Sequence, residues 1–184
     1  MTYEPPLYQL VRTTFFVGFM GAGKTSVVRR LARLCGATAI DTDRYVERRE
    51  GASVAALFAH DGEEGFRRFE EAALADIAQM DPVLVACGGG IVMSENSRKI
   101  ISENGFVVHL RVSADEARER ISNYSRRPLF SSIEAARELC EAREPIYEEL
   151  ADLTVDTAGK GTARLARELI TELANRGVLC KREE

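Results

Sequence analysis

The stretch Thr14-Phe15-Phe16-Val17-Gly18-Phe19-Met20-Gly21-Ala22-Gly23-Lys24-Thr25 decides the fold. Its first four residues are β-branched or aromatic without a break, the composition of a buried strand. Its last eight satisfy G-x-x-x-x-G-K-[ST] at every fixed position. From 24 to 34 the apolar residues Val27, Val28, Leu31 and Leu34 then recur at helical spacing. Strand, glycine-rich loop and helix, in that order, make a phosphate-binding loop. Glycines let the chain curl until successive N–H groups point inward, and the helix N-terminus adds the positive end of its dipole. Gly21, Ala22, Gly23, Lys24, Thr25 and Ser26 are therefore the expected nucleotide contacts. Lys24 reaches the β- and γ-phosphates of ATP in this scheme, and the Thr25 hydroxyl binds Mg²⁺. A bare strand-to-helix turn has no use for a lysine there. The motif implies nucleotide binding and leaves the reaction open.

Outward from this unit, short apolar runs keep alternating with helical patterns. Strands are expected at 38–40, 82–87, 106–112 and 153–155. Helices are expected at 54–58, 63–78, from Ser113 to about Ser122, at 134–143 and at 162–174. Ser113 with Glu116 three residues on is a capping box. Pro145 is expected to stop the helix that begins near Glu134. Residues 123–132 mix Tyr, Ser, Arg and Pro without periodicity and read as a loop. The alternation predicts an α/β fold, a parallel sheet covered by helices on both faces. Ligands of such sheets sit beyond the carboxyl ends of the strands.

At 184 residues the chain is expected to form one domain over 1–184, with 1–13 as a leader segment. A net charge of −4 argues against a nucleic-acid binder, which would present a basic face. Cys35, Cys87, Cys140 and Cys180 lie far apart, and His60 and His109 offer no zinc spacing, so reduced thiols of a cytoplasmic protein are expected. Glu4 and two prolines break the N-terminus as a signal peptide, and no run approaches the roughly 20 apolar residues that span a membrane. His109, inside a strand, is expected to be a satisfied core ring rather than a catalyst.

Polar and glycine clusters mark the strand ends. Asp41 and Asp43 flank Thr42. One carboxylate can face a metal at the phosphate loop and the other an incoming hydroxyl, or both can simply cap the next helix. Glu63, Arg67 and Glu70 share one helix face, either as a guanidinium held for a substrate carboxylate or as an exposed ion-pair ladder. Gly88-Gly89-Gly90 permits close approach of backbone to a ligand, or is a plain turn. Arg126 and Arg127, before Pro128, fit either a lid closing over phosphates or a solvated basic loop.

Together, the phosphate loop, Asp41-Thr42-Asp43, Phe66-Arg67-Arg68 with Glu70, the glycine trio, Arg127-Pro128-Leu129, Arg143-Glu144-Pro145-Ile146-Tyr147 and Val155-Asp156-Thr157 resemble the shikimate kinase family. The resemblance covers nearly all of the chain from Thr14 onward. It implies a three-layer sandwich of P-loop NTPase type, with a five-stranded parallel sheet in the order 2-3-1-4-5. It implies Mg²⁺-dependent transfer of the ATP γ-phosphoryl to the 3-hydroxyl of shikimate, on the route to chorismate. Asp43 would bind the shikimate hydroxyls and act as base, with Lys24 and Arg127 as its catalytic partners at the phosphates. Arg67 and Arg143 would grip the carboxylate, and Glu70 would steady Arg67. Gly88, Gly89 and Gly90 would approach the ring, and Phe58 and Phe66 would line the pocket. Asp41 would complete the Mg²⁺ shell with Thr25. Arg120 would lie near adenine, as would the loop after Thr157, and the lid would occupy about 123–132. A monomer with ATP and shikimate as its partners, and no nucleic acid or membrane, is the expectation.

Three departures stand out. Thr25-Ser26 replaces the Ser-Thr of many relatives, the stretch from Arg127 to Arg143 is shorter, and the leader is extra. A kinase for another polyol such as gluconate, and a nucleotide-binding module without catalysis, are the competing readings. The paired Arg67 and Arg143 favour shikimate over gluconate. Intact Lys24, Asp41, Asp43 and Arg127 favour catalysis.

Overall fold

Residues 8–120 and 132–182 are described by a computed structural model. Arg126, Arg127 and all of the expected lid except Ser132 lie outside the described residues, as does the expected end of the helix near Ser122.

The all-buried run Thr14–Val17 is the central strand, β2, of a parallel sheet. It pairs on one side with β4 (Val83–Ala86) and on the other with β5 (Phe106–Arg111). Outside them lie β3 (Thr38–Asp41) and β6 (Leu153–Asp156). The order β3-β4-β2-β5-β6 is the expected 2-3-1-4-5 once strands are numbered within this sheet alone. Central strands that are apolar on both faces need helices on both faces. Those helices are α1 (Lys24–Cys35), α4 (Glu95–Asn104), α5 (Ala114–Arg120), α6 (Ile133–Leu150) and α7 (Thr162–Asn175). Phe15, Phe16, Leu31, Leu84, Val108 and Leu169 are buried in one core. Each such side chain contributes about 1.5–3 kcal/mol.

Two further helices, α2 (Thr42–Glu50) and α3 (Val54–Ile77), form a lobe beside the sheet with its own small core of Val46, Leu57, Phe66 and Ala73. Gly62, at φ 69° and ψ −174°, breaks α3, so the two helical stretches expected on either side of it are both present. The sequence reading placed neither α2 nor α4, because both carry short, strongly polar segments with little apolar periodicity. The leader also gains a role. Within it, β1 (Tyr8–Leu10) pairs antiparallel with the C-terminal β7 (Leu179–Lys181), tying the two ends of the chain together. None of the described helices is long and apolar enough to cross a membrane.

Two expectations are corrected. The helix expected to stop before Pro145 runs through it to Leu150. A proline inside a helix loses one hydrogen bond and crowds the carbonyl four residues back. Tertiary contacts hold the turn regardless: Arg111 on β5 binds both Glu144 and Glu148, one on each side of the proline. The second correction concerns His109. It is fully buried, yet neither ring nitrogen has a hydrogen-bond partner among the described residues. Its ring stacks on Tyr147 at 5.2 Å. The Glu144 carboxylate, 3.6 Å from Nε2, is beyond hydrogen-bonding distance and is already engaged by Arg111.

Burial, with the positive charges of Arg111 and Lys24 adding to it, pushes His109 down to about 4. The unfolded chain takes up this proton near 6.5, whereas the folded chain resists it until about pH 4. Acid therefore favours the unfolded state: the stability that a neutral His109 carries above pH 6.5 is lost as pH falls toward 4, by roughly 3 kcal/mol. His109→Leu removes that dependence. Melting temperatures of the two proteins should diverge in favour of the variant between pH 6.5 and 4, and a constant difference across that window would exclude this account.

Candidate active site

Three positive-φ glycines shape the phosphate loop. Gly18, Gly21 and Gly23 have φ of 136°, 79° and 86°, a region that side chains with Cβ avoid. A Cβ on Gly18 would also lie 2.5 Å from the Leu110 carbonyl oxygen. With Gly23 as its first flanking residue, α1 has no side-chain cap, and its leading amides remain available to a ligand. The Lys24 ammonium donates to the carbonyls of Gly18 at 2.6 Å and Phe19 at 3.0 Å. The sequence reading aimed it at ligand alone; in the structure it also braces its own loop.

Downstream, β3 ends at Asp41, which does two jobs. Its Oδ1 accepts from the Arg44 amide at 3.3 Å, capping α2, while its Oδ2 accepts from the Thr25 hydroxyl at 2.8 Å. The capping and metal-side alternatives are thus compatible: Thr25 and Asp41 meet as a pair of oxygen donors, the set a hard divalent cation takes. Thr42 is fully buried, and its hydroxyl accepts from the Gly88 amide at 2.8 Å. That bond fastens the end of β4 to the start of α2 and sets Asp43 beside the glycine trio.

Each glycine of the trio makes a different close approach. A Cβ on Gly88 would stand 2.5 Å from Asp43 Oδ1 and 3.1 Å from Glu70 Oε1. One on Gly89 would touch the phosphate loop, at 3.6 Å from the Met20 amide nitrogen. One on Gly90 would collide with the Arg67 guanidinium. The contact at Gly89 is an ordinary one, but the plain-turn alternative does not account for the close approaches at Gly88 and Gly90.

Arg67 donates to Glu70 at 2.5 Å and to Glu63 at 2.9 Å. It is only 13 % exposed and Glu70 only 2 %, so this pair is no surface ladder. Burial pushes Glu70 up to about 7; Arg67 pulls against that shift, and the negative charges of Asp43 and Glu63 add to it. From the far side, α6 brings in Arg143, buried, with its Nη1 3.4 Å from the Gly89 carbonyl. The Nε atoms of Arg67 and Arg143 are both buried without a partner among the described residues. Two guanidiniums from different helices therefore reach neighbouring glycines with donor capacity to spare.

A cavity of about 870 Å³ runs along this surface. Gly21 to Ser26, Asp41, Asp43, Gly88, Gly89 and Arg120 line it, as do Lys160, Gly161 and Thr162 from the loop after Thr157. Arg120 is held in place by the hydroxyl and carbonyl of Thr157, at 2.8 and 2.7 Å. Arg67, Glu70, Gly90 and Arg143 are not among its lining residues; they meet it only through their contacts with the glycine trio. Phe66 is buried in the lobe under Phe58, their rings 4.5 Å apart, and the Arg67 guanidinium lies 5.9–6.0 Å from both ring centres. Thr42 and Tyr147 escaped the sequence reading as site residues. Thr42 had been only a spacer between aspartates. Tyr147 is one helical turn beyond Arg143, but a helix stopped at Pro145 hides that relation.

The family profile described as shikimate kinase matches residues 20–174. A shikimate kinase of Thiobacillus denitrificans is 43 % identical over 162 residues, 86 % of this chain and 88 % of that one. Another from Bordetella pertussis is 42 % identical, covering 86 % of this chain and 77 % of that one. Among solved structures, a shikimate kinase from Acinetobacter baumannii in complex with shikimate superposes with a TM-score of 0.84 at 32 % identity, covering 90 % of this chain and 94 % of that one. The chain belongs to the shikimate kinase family.

Proposed function

We propose that this site transfers the γ-phosphoryl group of ATP to the 3-hydroxyl of shikimate, with the residues above in the following roles. Lys24 and the leading amides of α1 bind the phosphates, Arg120 and the loop at Lys160 the adenine side. Asp43 orients the acceptor hydroxyl and takes its proton, a carboxylate's usual task in phosphoryl transfer. Arg67 and Arg143 bind the shikimate carboxylate, and Gly88, Gly89 and Gly90 admit the ring, with Phe58 beside it and Phe66 supporting Phe58. Thr25 and Asp41 would hold Mg²⁺, which when bound neutralises charge on the phosphate oxygens. Arg127 remains the candidate for closing over the phosphates. Phosphoryl transfer asks little covalent chemistry of a protein, so positioning and charge carry the rate.

One observation supports this reading above the others: the convergence of Arg67 and Arg143, each with an unpartnered Nε, on glycines next to Asp43. A carboxylate accepts paired N–H donors, and gluconate carries one too, on a flexible chain rather than a ring. Coupled ADP release with shikimate and with gluconate separates the two acceptors. Arg67→Lys retains the charge and loses the planar fork. We expect the KM for shikimate to rise about tenfold or more while that for ATP holds, on the basis of a lost charged hydrogen bond. Gluconate turnover exceeding shikimate turnover, or an Arg67→Lys variant with unchanged shikimate KM, would reject the assignment.

The proposal extends to a cytoplasmic monomer. All four cysteines are unbonded, and burial pushes the thiols of Cys35 and Cys140 up to about 11, which leaves them protonated and unreactive.

A further inference from the structure

Tyr147 is one of the largest fully buried side chains, and its hydroxyl donates to the Gly89 carbonyl at 2.6 Å. That carbonyl has a second, looser donor, Arg143 Nη1 at 3.4 Å. Behind the tyrosine, His109 stacks on its ring, and the far edge of the imidazole (Cδ2) would lie 3.3 Å from a Cβ on Gly18. A continuous column therefore runs from the base of the phosphate loop, through His109 and Tyr147, to the middle glycine of the trio. Gly89 sits between Gly88, which faces Asp43 and Glu70, and Gly90, which faces Arg67. Rotation of the Gly89 peptide would disturb both neighbours at once.

We propose that Tyr147 is a positioning residue for the acceptor: by holding the Gly89 carbonyl it fixes the glycine trio against Asp43 and Arg67 and sets the direction of the Arg143 guanidinium, which shares that carbonyl, toward the shikimate carboxylate. This rests on the function proposed above. A carbonyl oxygen accepts two hydrogen bonds. In the structure the tyrosine hydroxyl takes one lone pair at short range and Arg143 Nη1 the other at 3.4 Å. Without the hydroxyl, Arg143 is left as that carbonyl's remaining side-chain donor among the described residues and is drawn further toward it, away from the substrate carboxylate. Burial keeps the phenol protonated, pushing it up to about 12, so the donor persists at any working pH.

Tyr147→Phe deletes one oxygen and leaves the ring, its stacking on His109 and its volume in place. The KM for shikimate should rise about tenfold, with the KM for ATP changed less than about twofold, because one buried hydrogen bond is lost and Arg143 shifts, both on the acceptor side. Replacing Tyr147 with 4-aminophenylalanine, which restores an N–H donor on a ring of the same size, should recover most of the shikimate KM. A purely structural tyrosine would lower the melting temperature of Tyr147→Phe and leave both KM values unmoved, and that result overturns the proposal. So does a variant in which both KM values rise together, or one that the amino analogue folds but does not rescue. If the unaltered protein shows no shikimate-dependent ADP formation, the function proposed above fails and this inference fails with it. Normal wild-type turnover with an indifferent Tyr147→Phe rejects the positioning role alone.

Discussion

Asp43→Asn should lower kcat with shikimate by about a hundred- to ten-thousandfold, the range over which a positioned general base acts, while ATP affinity changes little. The substitution is nearly isosteric, so it spares the close fit of Asp43 against Gly88. It removes the negative charge and the lone pair that would accept the hydroxyl proton. Asp43 lines the cavity beside Gly88, and in the role proposed for it the loss belongs to the transition state rather than to nucleotide binding. The neighbouring Glu70, which burial pushes up to about 7, adds a second consequence. Loss of the Asp43 charge removes one of the influences holding that value up, so the residual activity of the variant should have an altered pH profile. Steady-state kinetics and a nucleotide titration, both across pH 5–9, make the measurement. Retained turnover with collapsed ATP affinity would reassign Asp43 to the metal.

Lys24→Met is expected to reduce kcat by about a hundred- to a thousandfold or more, the cost of removing one fixed charge from a developing phosphoryl transition state. Methionine keeps the buried aliphatic stem and drops only the ammonium. Unlike Asp43→Asn, this change should also reach the resting fold. The Gly18 and Phe19 carbonyls lose the donor that now braces them, worth about 1–3 kcal/mol of stability. The melting temperature should fall without ligand, and the stabilisation normally added by MgATP should shrink as well. A variant that melts normally and still turns over would remove Lys24 from both roles.

Much of the site was readable before any coordinates because it depends on local chemistry. The glycines of the phosphate loop, the lysine at the start of α1 and the aspartates at the end of β3 lie within one or two turns of the element that positions them. Where alternatives stayed open, the missing quantity was burial. Arg67 with Glu63 and Glu70 has the same spacing in an exposed ladder as in a buried fork; only the packing of α3 against the glycine trio distinguishes them. Asp41 posed a false choice, since its two oxygens serve the cap and Thr25 separately.

The sequence by itself determined the strand–loop–helix unit at 14–35 and the alternation that makes a parallel sheet, and it named the candidate groups for phosphate and carboxylate. These follow from periodicity and from backbone freedom at glycine, which are properties of short segments. Tertiary structure alone decided that α6 continues through Pro145, that the ring nitrogens of His109 are buried without a hydrogen-bond partner among the described residues, and that Tyr147 meets Gly89. Local propensity argues against a proline in mid-helix by about 3 kcal/mol. The helix nevertheless continues, with contacts on both sides of the proline from Arg111 to Glu144 and Glu148 and from Arg143 and Tyr147 to Gly89. Those partners lie more than thirty residues away in sequence, so only the assembled sheet brings the two halves of the acceptor site together.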